Sequence, residues 1–214
     1  MPTIFNEGRR HGAYIVSEAA GATGGMRSRE VGVITGAASL VDGTVLGQVS
    51  VGAAVAAAKG GNTGNATISA VVTGAGAKSG VYSVEFTAAT KFDVIDPDGF
   101  KIKSGATGAA YADDLGFTIT VGATPMVAGD GFNITVAAGT KKFKALDPAG
   151  VDGSQVASAV LFGNVDATLA DKNAVVSVRE TEVNGEEITW PEGISGGAKT
   201  AAIAALAANG IIVR

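Results

Sequence analysis

The chain's 214 residues suffice for one large domain or two small ones, and a content of 46% hydrophobic against 17% charged residues marks a folding chain rather than a disordered one. Its 32 glycines and 6% aromatic residues favour short strands, tight turns and a thin core, without the three-residue glycine period of collagen. The net charge of −4, with both signs interspersed, argues against a nucleic-acid partner; the absence of cysteine excludes disulfides and thiolate metal sites; and no apolar run of about 20 residues or basic-then-apolar start announces a membrane span or secretory signal.

Residues 1–13 are polar and irregular, and Pro2, Gly8 and Gly12 discourage a helix. They read as a frayed terminus, or as an arm that orders on a partner, with Thr3, Ile4 and Phe5 as a short strand and Arg9 and Arg10 facing acidic groups. Tyr14–Val16 begins a strand that gives way to the glycine-rich loop 21–25. A second strand is predicted over Arg29–Thr35, and after the Asp42-Gly43 turn signal a third over Thr44–Val49.

From about Gly52 to Ala138 the texture changes. Strands are predicted at Thr67–Thr73, Val81–Thr87, Phe92–Ile95, Phe100–Lys103, Leu115–Val121 and Phe132–Ala137. Tyr82, Val84 and Phe86 share one face by period-2 alternation, as do Phe117, Ile119 and Val121, and Phe132, Ile134 and Val136. GFTITV and GFNITV are near copies, either a hairpin or two related strands of a small sandwich. Short strands at regular spacing, with glycine-rich turns, favour an independent all-β domain.

Beyond Lys141 the first texture resumes. Ala157–Phe162 and Ala174–Val178 read as strands, and Asn184-Gly185 predicts a hairpin between Arg179–Val183 and Glu187–Trp190. A helix is predicted over Ala198–Ala208, with Ser195 as N-cap, Ile203, Leu206 and Ala207 as its apolar face, and Asn209-Gly210 as its stop. Ile211–Val213 makes a short strand or core plug.

Several motifs have a chemical and a bland reading. Gly193-Ile194-Ser195-Gly196-Gly197 fits the nucleophile-elbow pattern, but the lone histidine, His11, precedes the serine, and a helix cap explains the same residues. DVIDPDG, residues 93–99, gathers three carboxylates, yet EF-hand spacing fails at Val94 and Gly105, and Pro97-Asp98-Gly99 is a turn. The glycine clusters lack the lysine and the following helix of a phosphate loop. Asn65-Ala66-Thr67 and Asn133-Ile134-Thr135 match the glycosylation sequon by chance. Glu180, Glu182, Glu186 and Glu187 read as a solvated acidic face. Trp190, the single tryptophan, is a candidate anchor of the core or of an interface between copies. No catalytic, cofactor-binding or metal-ligating set emerges, and no enzymatic activity is expected.

The two ends carry ordered blocks: AYIVSEAAG, RSREVGV and GTVLG near the start, and VNGEEITWPEGI with AAIAALAANGIIVR at the end. Over about residues 12–51 and 143–214 these blocks resemble the head decoration proteins of lambda-type tailed bacteriophages. The resemblance implies a mainly β, β-clip-like decoration core with one C-terminal helix, and no enzymatic activity or cofactor. It implies residence on the outer surface of the virion head after synthesis in the host bacterial cytoplasm, as a homotrimer at local three-fold positions that stabilises the capsid against genome pressure. Its partners are then the major capsid protein and itself, with neither nucleic acid nor membrane. The expected organisation is an arm over residues 1–14, a discontinuous core over 15–51 and 140–214, and an inserted small all-β, sandwich-like domain over 52–139. Thr3, Ile4, Phe5, Asn6, Arg9 and Arg10 are the expected capsid-binding residues. The family has only a short connection where the insert stands, so the resemblance is silent on the insert, for which a host-surface ligand is a candidate. The alternative reading is a surface adhesion module, bacterial or virion-borne, whose β-sandwich binds glycans or proteins.

Overall fold

The structure, a computed structural model, describes residues 10–21 and 26–214. In chain order the strands are β1 (Ile15–Glu18), β2 (Arg29–Ile34), β3 (Ser39–Leu40), β4 (Val45–Gln48), β5 (Val51–Ala58), β6 (Thr67–Ile68), β7 (Val72–Thr73), β8 (Gly80–Ala88), β9 (Lys91–Ile95) and β10 (Lys101–Ala106). They continue with β11 (Ala110–Ala112), β12 (Leu115–Thr120), β13 (Gly131–Ala138), β14 (Phe143–Ala145), β15 (Ala157–Phe162), β16 (Val165–Asp166), β17 (Lys172–Ser177), β18 (Thr181–Val183) and β19 (Ile211–Val213), and α1 covers Gly196–Ala208. The chain is thus mainly β with one C-terminal helix, as the alternation and the alanine-rich tail predict. It divides into two compact units, one of residues 1–48, 142–149 and 154–214, the other of residues 49–141 and 150–153.

The first unit is built on a closed barrel in the order β14-β2-β17-β15-β4, antiparallel except where β14 runs parallel to β2. Two close approaches explain its glycines. A Cβ on Gly47 would stand 2.2 Å from the carbonyl oxygen of Ser154, and one on Gly32 would stand 2.7 Å from the Phe143 ring. Ile34, Leu46, Phe143, Leu161 and Val176 form one buried cluster, and Tyr14, Val45, Val160, Ile188, Leu206 and Ile211 form a second. Gln48 and Phe143 are directly paired, so the chain leaves this unit and returns to it through adjacent residues of a β4–β14 pair.

The helix starts where predicted: the Ser195 hydroxyl accepts from the Ala198 amide at 3.2 Å, and Gly210, at φ +78°, follows the Asn209 cap. Its buried residues are Ala202 and Leu206, one turn apart, while Ala207 is exposed; the apolar face is rotated from the predicted Ile203–Leu206–Ala207 stripe because small alanines allow close packing on the barrel side. The Asn184-Gly185 hairpin does not form. Both edges of β18 are taken, by β1 antiparallel and by β19 parallel. Neither turn residue has the positive φ that a type I′ turn requires, and the Asn184 amide donates instead to the Tyr14 carbonyl at 2.8 Å.

The second unit sets a five-stranded antiparallel sheet, β10-β9-β8-β13-β5, against β11-β12-β6 with β7 beside β12. Tyr82, Val84, Phe86, Phe132, Ile134 and Val136 from the first sheet share one core with Tyr111, Leu115, Phe117 and Ile119 from the second. Phe92 sits at the junction, with ring centroids 5.7 Å from Phe86, 6.2 Å from Tyr111 and 6.0 Å from Phe117. The near-copies GFTITV and GFNITV fall in β12 and β13, in opposite sheets, and so are related strands of a sandwich rather than a hairpin. Val121 lies past the end of β12 and is exposed. The predicted strand 67–73 breaks into β6 and β7, because the Ser69 hydroxyl accepts from the Thr118 amide at 3.0 Å where a ladder carbonyl would otherwise serve. Buried Asp130 ties the loops, accepting from the amides of Thr63, Gly64 and Val127 at 2.9–3.0 Å.

Candidate functional site

Of the residues predicted to bind a capsid, Thr3, Ile4, Phe5, Asn6 and Arg9 lie outside the described residues, and Arg10 is the first that is described and is exposed. The described chain begins at Arg10, just ahead of β1. Two overlapping turns carry the chain from Arg10 into β1, with Ala13 N donating to Arg10 O at 3.1 Å and Ile15 N to Gly12 O at 3.0 Å. Gly12 has φ +79°, and a Cβ there would meet the Phe162 ring at 2.6 Å, so this step of the backbone requires glycine. The Gly12 amide donates to both carboxylate oxygens of Asp42, at 3.0 Å each. Asp42 is buried and also accepts from the Gly163 amide at 2.7 Å, while its own amide donates to Asn164 Oδ1 at 2.8 Å. Tyr14 is fully buried, its hydroxyl 3.2 Å from Ser177 Oγ, and burial pushes the phenol up to about 12 against the pull of that hydrogen bond. Residues 12–14, the last three positions of the expected arm, are therefore fixed to the barrel.

Beside these residues, the SEA and RSRE blocks prove to be two halves of one brace. Glu18 and Arg29 form a bidentate ion pair, the Arg29 Nε donating at 2.8 Å, and buried Ser28 adds its hydroxyl at 2.7 Å. The Arg29 guanidinium also lies 3.8 Å from the centroid of the Phe162 ring. Burial alone would raise the Glu18 carboxyl, but the hydrogen bonds from Arg29 and Ser28 outweigh it and hold the group below the usual range. A depressed folded-state pKa contributes stability that is present above the ordinary carboxylate range and is lost as pH falls through the lowered value. Glu18→Gln is expected to flatten the acid limb of a stability-versus-pH curve measured by denaturant unfolding; an unchanged limb would show that the pair contributes nothing.

The acidic run is partly neutralised: Glu180 pairs with Arg27 at 3.1 Å, and Glu182 with Arg214 at 2.5 Å and with Ser17 Oγ at 2.8 Å. Trp190 is half-buried against the cluster of Tyr14, Leu206 and Ile211. Its indole N–H donates to Gly185 O at 3.4 Å, and the Lys199 ammonium stands 5.2 Å from the ring centroid. With Leu40, Val41, Leu146 and Pro191 it also lines a shallow apolar recess of about 240 Å³.

Ser195 caps α1. The 93–99 carboxylates are organised as a turn: Asp96 accepts from the amides of Asp98 and Phe100 at 3.0 and 2.8 Å, and Lys78 bridges Asp96 and Asp98 at 2.8 and 2.6 Å. Among the described residues no group of three or more His, Asp or Glu side chains is placed to hold a metal ion, and no helix is long and apolar enough to cross a membrane.

Among the described residues of the barrel unit, Asp42, Glu18, Arg29 and Ser28 brace one stretch of chain against another. Residues 116–211 match the family model of the bacteriophage lambda head decoration protein D, which bears out the resemblance read from the terminal blocks. The match takes in Trp190 and all of α1, and begins in β12 of the second unit; the blocks before residue 51 lie outside it. The family is one of structural phage proteins, and the match supports a role in capsid decoration at the virion exterior. No curated protein matches the chain. Similar solved structures include FlgL of Xanthomonas campestris in two crystal forms, each 26% identical with a TM-score of 0.34, over 47% of this chain and 34% or 33% of those chains. The flagellar hook junction protein FlgK from Burkholderia pseudomallei is 20% identical with a TM-score of 0.34, over 54% of this chain and 21% of that chain. The matched part spans about a third or less of those proteins, and superpositions this loose carry no argument about role.

Proposed function

We propose that this protein binds the outside of the expanded phage head as a homotrimer at local three-fold positions and stabilises the shell against the pressure of packed DNA. The observation that carries the reading is the family match over residues 116–211. In this reading the barrel unit is the β-clip-like decoration core and residues 1–11 are the arm, with Thr3, Ile4 and Phe5 adding a strand to an exposed sheet edge of the major capsid protein and Asn6, Arg9 and Arg10 flanking it. A strand of this kind gains only about 0.5–1.5 kcal/mol per backbone hydrogen bond, so three arms acting together supply the affinity by avidity. The recess beside Trp190 is the candidate contact between copies, since it offers apolar surface next to a large ring. Filled heads lacking the protein, heated or osmotically shocked with and without it, test the reading: retention of DNA only when it is added supports stabilisation, and equal leakage in both arms contradicts it.

A further inference from the structure

We propose that Asp42 is the positioning residue of the N-terminal arm: its buried carboxylate clamps the Gly12 amide and so sets where the arm leaves the barrel. The inference rests on the arm reading above. A carboxylate that is only 3% exposed costs free energy unless its oxygens are occupied. Here they are occupied by backbone amides from two remote places, Gly163 in the loop after β15 and Gly12 ahead of β1. The Gly163 bond closes the barrel on itself. The Gly12 bonds do something else, since they reach past the barrel strands to the last turn before the arm. The loop is shaped for this clamp: the Asn164 side chain fixes the Asp42 amide, and Gly163 has φ +84°, with a Cβ there 3.4 Å from the His11 ring.

A fixed base means that residues 12–14 are already ordered before docking. Released from Asp42, residues 12 and 13 would have to be ordered on the capsid while Tyr14 stays buried, and each residue so ordered weakens binding by about tenfold. Asp42→Ala in the full chain is therefore expected to weaken cosedimentation with expanded heads by about ten- to a hundredfold and to accelerate amide hydrogen exchange at Gly12 and Ala13. Asp42→Asn, which keeps one acceptor oxygen, falls between it and the parent. Gly12→Ala opens the same clamp from the arm side and serves if Asp42→Ala does not fold. Ile34→Ala is the control: it removes buried side chain from the barrel cluster that Tyr14 does not join, lowering the melting temperature without changing head affinity or exchange at Gly12. Loss of affinity in the clamp variants but not in the control supports the inference. Unchanged affinity in a folded clamp variant, or an equal loss of affinity in the control, overturns it. If deleting residues 1–11 leaves binding intact, the arm reading itself fails and this inference falls with it; if that deletion abolishes binding while the clamp variants bind normally, only the role of Asp42 is lost.

Discussion

Deleting residues 1–11 is expected to abolish binding to expanded heads, a loss of more than about a hundredfold, while the barrel unit melts as before. Both halves of that expectation come from where the chain becomes fixed. Gly12 is held by Asp42, Tyr14 is buried with its hydroxyl on Ser177, and β1 pairs with β18, so truncation before Gly12 leaves these supports in place and removes, among the described residues, the turn bond from Ala13 N to Arg10 O. In the proposed trimer three arms are lost at once, so the binding loss is large, and avidity of roughly 10²–10⁴ disappears with them. Cosedimentation of the truncated chain, alongside thermal unfolding followed by circular dichroism, reads both quantities. A truncated chain that still pellets with heads would move the capsid contact to the barrel surface.

Excising residues 49–141 and joining Gln48 to Lys142 through a short turn is expected to leave a folded protein that still binds heads. Gln48 and Phe143 are paired partners, so a connection of about two to five residues closes the β4–β14 pair as a hairpin. The excised part carries its own core of aromatic and branched residues and its own loop tie at Asp130. Its ends run side by side, with Gly139 N donating to Ser50 O at 3.0 Å and Lys141 N to Val49 O at 2.9 Å, which is how a folded insertion adds little loop-closure cost. A chain without the insert that unfolds or aggregates would mean that the barrel unit depends on it.

Much of this architecture was legible because alternation is loud where large and small residues take turns. Tyr82, Val84 and Phe86, or Phe132, Ile134 and Val136, announce both a strand and its buried face. β5 was silent for the opposite reason: VGAAVAAA alternates between covered and exposed positions, but alanine and valine give almost no contrast. β11 is only three residues long, below what periodicity can register. The Asn184-Gly185 signal misled because local turn chemistry knows nothing of β1 and β19, which claim both edges of β18. The Asp42 contact with Gly12 is hidden in the same way. Asp42-Gly43 reads as a turn from its neighbours, and nothing local says that its carboxylate will meet amides 30 and 121 residues away. Glu18 and Arg29 stand in the SEA and RSRE blocks, yet the physical reason for them, one ion pair with Ser28 and Phe162 around it, joins positions that no local pattern connects.

The most direct measurement is cosedimentation of the full-length protein with heads that lack a decoration protein, comparing expanded with unexpanded shells and counting bound copies. A trimeric decorator pellets with expanded shells and saturates at three copies per local three-fold position. Protein that stays in the supernatant with both kinds of shell would contradict the account.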